Sequence, residues 1–408
     1  MIPAAMSVLN NWYCPNFLYL QQHIKEMRNN IIKTLLVILL ITGYTSLSAQ
    51  YYPDADWQVK KPEELKMSSK WIDSAISFAM HNENKVDRDL RIADMKAYAN
   101  EPFYKIVGPV KQRGGPAGMI IKNGYIVGQW GDVKRVDMDF SATKSYLSTV
   151  AGLAVDAKLI KSVNDKVNEY VEETFEGEHN SKITWDHLLT QSSDWYGNLF
   201  GIYDWADRPD KSGKLDDWRN RKLFEPGEHF KYNDVRVNLL AYSLLQVWRK
   251  PLPVVLKEKI MDPIGASTTW RWYGYDNSFV NIDGVMMQSV SGGGHFGGGL
   301  FINTIDQARF GLLFLRKGKW KDKQIISEKW IEAAHQPSHA NKSYGYMWWL
   351  NAENKFPGIP LSVYYAEGFG GNFIIVDNEH DIVVVARWLD SDKPGELLNL
   401  IIKAIENK

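Results

Sequence analysis

Ser141 and Lys144 stand three residues apart in DFSATKSYLSTVAGLAV (139–155), and no other serine of the chain has a lysine at that spacing. On a helix, this spacing puts the two side chains side by side. A serine hydroxyl becomes a useful nucleophile only when a neighbouring base takes its proton. A lysine can be that base if its ammonium is poorly hydrated, because burial lowers its pKa. Phe140, Lys144, Leu147, Ala151 and Ala154 recur at steps of three and four and share one stripe, otherwise wholly apolar. The pattern therefore puts an amine on a buried face, one turn after a hydroxyl at a helix start. Backbone N–H groups at that start could receive a developing oxyanion. A surface lysine on a helix flank would satisfy the same spacing.

A second candidate group lies in PGEHFKYNDVRVNLLAYSLL, where Tyr232 and Asp234 precede an amphipathic helix. A tyrosine beside an ammonium has its phenolate stabilised and can shuttle protons. SGGGHFGGGLF (291–301) matches the dinucleotide fingerprint by letter, through Gly292, Gly294 and Gly297. That fingerprint needs a preceding strand and an opening helix, whereas a strand-like Leu300–Ile302 follows here. The stretch reads as a tight glycine turn that brings His295 and Phe296 to a cleft.

These groups need a scaffold. AGMIIKNGYIVGQW is a hairpin across Asn123-Gly124. Near the other end YGYMWWL, LSVYYAE, NFIIVD and DIVVVARWL read as strands, and KPGELLNLIIKAI as a closing helix. Between them, about 161–289 reads as helices and loops. The expected domain (50–408) is thus α+β, with an α/β part over about 65–160 and 290–408 and an inserted, mostly helical region over about 161–289.

The first 49 residues form a leader. From Met27, a basic start (Arg28, Lys33), an apolar run Leu35–Ile41 and small residues Ser46, Ser48 and Ala49 have the form of a secretory signal peptide over 27–49. The run is short for a membrane span, which needs about 20 residues. The expectation is an exported, periplasmic or secreted protein with no stable membrane anchor after cleavage, whose translation begins at Met27. Cys14, the single cysteine, falls in the leader, so disulfide and thiol chemistry are not expected. Lys plus Arg and Asp plus Glu are equal at 48 each, which gives no sign of a nucleic-acid partner.

The ordered set SATK (141–144), ITWDHLLTQSS (183–193), YND (232–234) and GFGGNFIIVDNEHDIVVVARW resembles the penicilloyl-serine hydrolase family over about 65–408. That family holds class C β-lactamases, DD-peptidases, related esterases and nylon-oligomer (6-aminohexanoate-dimer) hydrolases. The resemblance implies a five-stranded antiparallel sheet flanked by helices, a helical region beside it, and the site between them. It implies Ser141 as acylated nucleophile, Lys144 as its base and Tyr232 as proton shuttle. The aromatic-dense loop WYGNLFGIYDWADRP (195–209) walls a substrate pocket through Trp195 and Tyr196 or packs beneath the helical region, and His295 is either a substrate contact or structural. Asp234 and Phe296 complete the candidate substrate contacts, and the glycines Gly370–Gly371 can present a second oxyanion donor. Two positions depart from the family pattern. Asp234 stands where an asparagine is usual, which removes two donors. Where a strand lysine is common, the chain has Glu367-Gly368-Phe369-Gly370-Gly371. A substrate carboxylate would lose its partner there, so uncharged esters or amides are expected.

Neither a G-x-S-x-G elbow nor an H-E-x-x-H occurs, so an α/β-hydrolase and a zinc enzyme are not expected, and no cofactor or metal is. The expected function is acyl-enzyme hydrolysis of a small ester, amide or peptide-like substrate. A DD-carboxypeptidase or class C-like β-lactamase is the alternative within that chemistry. A non-catalytic peptidoglycan- or ligand-binding relative is the alternative outside it.

Overall fold

The computed structural model describes residues 15–42, 50–171, 173–211 and 213–406. The chain divides into two compact units, Met1–Ala49 and Gln50–Lys408. In the first, Pro15–Thr42 is a helix. Among the described residues no helix is long and apolar enough to cross a membrane. The small residues expected to end the signal (46–49) lie outside the described residues.

The second unit is built on a fully antiparallel six-stranded sheet. Its order is Trp349–Leu350, Tyr364–Gly368, Asn372–Asp377, Ile382–Arg387, Ala117–Lys122 and Tyr125–Trp130. The expected five strands are present, and the two-residue Trp349–Leu350 adds an edge. Both ends of the chain contribute, because Ala117–Lys122 pairs with Ile382–Arg387. Asn123 and Gly124 turn the first hairpin at φ 53° and 86°, the left-handed values a tight two-residue turn requires. Helices Ser69–His81 and Pro394–Glu406 cover one face with a core that includes Ile72, Val384 and Leu397. Helix Thr304–Leu315 lies on the other, where Gly311 lets it approach Val383 and Ile374.

The inserted region is not purely helical. Arg271–Ile282 and Val285–Val290 form a long hairpin, extended by Gly299–Ile302 and Asp137–Met138 into a second, four-stranded sheet. The region expected to be mostly helical thus also carries a β-hairpin over 271–290. The turn is Asp283-Gly284, both at positive φ (55° and 82°), and Asp-Gly flanked by apolar residues is itself a hairpin signal.

At the centre runs helix Thr143–Asp156, with every residue from Thr143 to Ala154 buried. The apolar stripe is thus one side of a helix enclosed all round. Tyr146 stacks on Phe310 at 3.8 Å, and Ser145 Oγ donates to the Met347 carbonyl at 2.8 Å. Helix Asp234–Trp248, capped by Asn233 accepting from the Arg236 N–H, packs against it. The first turns of these two helices carry the groups of interest.

Candidate active site

Ser141 lies in a short 3₁₀ turn, Phe140–Ala142, that leads into the central helix. Phe140 adopts φ 48°, a strained value for a non-glycine residue. It is held there by Phe369 and Trp388, with ring centroids 5.2 and 6.5 Å away. The strain turns Ser141 out of the helix, and it is half-buried while its neighbours on both sides are buried. Gly368, at the end of strand Tyr364–Gly368, lies flat against this turn. A Cβ there would fall 2.1 Å from the Asp139 carbonyl oxygen and 3.3 Å from the Ala142 nitrogen.

Lys144 Nζ donates to Ser141 Oγ at 2.9 Å and to Asp234 Oδ1 at 2.7 Å. The amine is buried, and Gly293 seals it. A Cβ at 293 would stand 1.6 Å from Asp234 Oδ1 and 2.3 Å from Lys144 Nζ. The glycine-rich stretch therefore acts through a missing side chain that lets backbone close over the ion pair.

The second oxygen of Asp234 accepts from Arg208 Nη1 at 2.7 Å, and the same nitrogen reaches Asp207 Oδ1 at 2.6 Å. The Asp234 N–H donates to Asp207 Oδ2. Burial pushes the Asp234 carboxyl up, but the charges of Lys144, Arg208 and His295 outweigh it and hold it below the usual carboxylate range. Burial lowers the Lys144 amine; Asp234 opposes this and Arg208 reinforces it, leaving the amine below its ordinary value. Both members of this pair are shifted down. Asp234 faces two cations, whereas Lys144 shares its one bonded anion with Arg208.

Tyr232 stacks on Trp349 with centroids 5.7 Å apart, and its ring lies 4.7 Å from Lys144 Nζ. Burial first and Asp234 next push its phenol well above the ordinary value; a hydrogen bond with Ser141 and the charge of Arg208 pull only partly back. The expectation of a stabilised phenolate is corrected: desolvation outweighs the nearby cations, and the resting group is a phenol.

The other expected contacts are placed differently. Trp195 is a buried core residue whose indole N–H donates to the Thr174 carbonyl at 2.7 Å, so it does not wall a cleft. Tyr196 is exposed and bonds from its hydroxyl to the Arg219 carbonyl. Asp234 has both oxygens committed and none to offer a substrate. His295 is buried, with Nε2 2.6 Å from Glu101 Oε2 and 3.5 Å from Asp207 Oδ1. Phe296 is core, packed on Tyr104 and Tyr275. Gly370 sits against the Trp388 ring and Val86, and the Gly371 N–H is spent on the Gly368 carbonyl at 3.1 Å. Gly371 is therefore not an oxyanion donor.

Glu101, Asp207 and His295 bring ligand-type atoms within 4.8 Å of one another. Asp207 also accepts from Arg208 and His295 pairs with Glu101, so these groups form a charge network. A cavity of about 250 Å³, lined by Trp205, Trp218, Arg221, Lys231 and Asn233 among others, lies behind the 231–233 segment and does not include Ser141. Half-buried residues linked to Tyr232 and Phe140 through ring and charge contacts are Tyr98, Arg208, Phe230, Trp349, Glu367 and Phe369. Sequence reasoning missed Tyr98, Asp207, Arg208 and Trp349, since nothing in their spacing ties them to residues 141–144.

The family described as Beta-lactamase matches residues 110–396, and the chain belongs to it. It is accordingly a serine hydrolase of that superfamily. No curated protein sequence matches the chain. Among solved structures it is similar to EstCE1, a hydrolase with promiscuous acyltransferase activity (17% identity, TM-score 0.55, covering 84% of this chain and 99% of that one). It is also similar to a family VIII carboxylesterase (17%, TM-score 0.51, 72% and 92%). An octameric penicillin-binding protein homologue from Pyrococcus abyssi is similar too (18%, TM-score 0.51, 78% and 75%). At these identities the likeness concerns the fold.

Proposed function

We propose that the protein hydrolyses an ester or amide through an acyl-enzyme on Ser141. The observation that carries this is the buried Lys144 amine, 2.9 Å from Ser141 Oγ, with burial driving it toward the neutral form. Neutral Lys144 takes the hydroxyl proton as Oγ attacks the carbonyl carbon. The Ser141 N–H, at the head of the central helix, faces the developing oxyanion. The Tyr232 phenol protonates the leaving group and is reprotonated from Lys144. Water then attacks the acyl carbon and releases the acid, with the same groups acting in reverse. Asp234, where the family usually has an amide, holds Lys144 in place. Export through the segment 27–49 belongs to the same proposal, and rests on the sequence of that segment.

The test is covalent labelling with a fluorophosphonate, read by intact mass and peptide mapping. The expected result is one adduct on Ser141, with Ser141→Ala giving no adduct, no ester hydrolysis and an unchanged circular dichroism spectrum. If Ser141→Ala cleaved a p-nitrophenyl ester at the original rate, the nucleophile would be misassigned.

A further inference from the structure

Helix Leu90–Tyr98 is capped by Asp89 and anchored through buried Leu90 and Ala93, and it precedes the stretch matched by the family (110–396). The chain that follows it is tied down closely. Glu101 pairs with His295 at 2.6 Å, and the Tyr104 hydroxyl donates to the His295 carbonyl at 3.1 Å. The Val107 and Gly108 N–H groups donate to the Phe296 carbonyl at 2.9 and 3.0 Å. The Tyr98 ring is thereby held with its centroid 4.0 Å from that of His295, 5.7 Å from that of Phe369 and 5.7 Å from the Arg208 guanidinium carbon. It is half-buried, and its hydroxyl bonds to no protein group among the described residues and is not enclosed. Burial pushes the phenol up; Arg208 pulls it partly back and Asp234 pushes it further, so the hydroxyl lies within range of the charges around Lys144.

We infer that Tyr98 is a specificity-determining residue whose hydroxyl donates to a neutral oxygen acceptor on the substrate's acyl group. This rests on the proposed acyl-enzyme at Ser141, with Tyr232 serving the leaving group. Trp349 stacks on Tyr232 and lines the leaving-group end. Tyr98 approaches from the other end. Its ring meets Phe369, and Phe369 meets Phe140, the residue before the nucleophile, with centroids 5.2 Å apart. The acyl group points away from the leaving group across the carbonyl carbon, and so runs along Phe369 toward Tyr98. A phenol held in an aromatic wall without a bond is left short of a partner unless an acceptor enters with the substrate. Arg208 beside the ring favours an electron-rich oxygen at that corner, while Asp207 and Asp234 beyond it disfavour a full negative charge. The acceptor is therefore an ether, hydroxyl or carbonyl oxygen. The fixed strap holds the hydroxyl in place before substrate arrives, so little freedom is lost on binding.

The experiment uses p-nitrophenyl pentanoate and its analogues with an ether oxygen in place of the third or the fourth acyl carbon, which hardly differ in shape. For each, kcat/KM is divided by the rate constant for hydroxide hydrolysis of the same ester, which removes the inductive effect of the oxygen. In the unaltered protein, one analogue is expected to exceed the pentanoate by about fivefold on this scale, the worth of one neutral hydrogen bond. Tyr98→Phe keeps the ring and loses only the hydroxyl, so the ratio should fall to about one. A ratio that Tyr98→Phe leaves unchanged, or no preference for either analogue in the unaltered protein, overturns the inference. The second of these readings decides the matter alone should Tyr98→Phe not fold. Butyl and 2-methoxyethyl acetates carry the same replacement in the leaving group, and a preference confined to that pair overturns the assignment to the acyl side. If Ser141 takes the fluorophosphonate but none of the pentanoate esters turns over, the inference also falls. Absence of any adduct on Ser141 would instead refute the hydrolase reading itself.

Discussion

Asp234→Asn is the most informative single change, because it separates what the carboxylate does for the fold from what it does to the base. Asp234 Oδ1 sits 2.7 Å from Lys144 Nζ and raises the amine, against burial that lowers it. An opposite charge at such range shifts a pKa by about 1–3 units. Its removal should therefore move Lys144 further down by that amount. The rate of fluorophosphonate labelling rises as Lys144 loses its proton, so its acid limb should move to lower pH by about 1–3 units. The plateau should fall as well, since a weaker base removes the Ser141 proton less effectively. Stability should drop, because a buried pair that loses one partner costs about 3–5 kcal/mol. The loss should lie near the lower end, as the amide still accepts from Lys144 and Arg208 keeps Asp207 at 2.6 Å. A pH series of labelling rates, with a thermal melt at each pH, reads both effects. If the acid limb stays in place or moves upward, Lys144 is not the group whose titration controls Ser141.

Other expectations follow from groups on either side of that pair. Asp94 is buried with no hydrogen-bond partner among the described residues, and burial raises its carboxyl to about 8. Its contribution to stability is full below the unfolded value near 4 and is lost as pH rises through about 8. Asp94→Asn should therefore flatten the decline in melting temperature between pH 5 and pH 9. Its stabilisation at pH 7 is at most about 4 kcal/mol; an unchanged decline would contradict the assignment. Gly293→Ala should cut the labelling rate and cost about 1–3 kcal/mol, because the new methyl overlaps the Lys144–Asp234 pair. A variant that labels like the original would mean the glycine loop does not seal the amine.

Local chemistry explains which features were legible in the sequence. Asn123-Gly124 announces its hairpin because only a few residues accept its left-handed turn. The helix carrying Lys144 is legible because the stripe and the serine are encoded within one short window. The hairpin at 271–290 carries an equivalent Asp-Gly signal, but neighbouring helical patterns obscured it. Trp195 was misplaced because an aromatic residue after a short helix has no local mark of which side it faces. Arg208 and Asp207 were invisible for a different reason: their meaning lies in contacts across the chain to Asp234, 26 residues away for Arg208. Likewise, the need for glycine at 293 and 368 arises from close approach of segments distant in sequence.

The central claim, that Lys144 is a base of lowered pKa poised on Ser141, can be read directly from the titration of its side chain. Protein labelled with ¹³Cε-lysine, with Lys144→Met to assign the signal, gives the midpoint by NMR. A midpoint below the ordinary lysine value of 10.5 is the expected result. A midpoint at or above it would show the amine held as an ammonium by Asp234, and the proposed base would be lost.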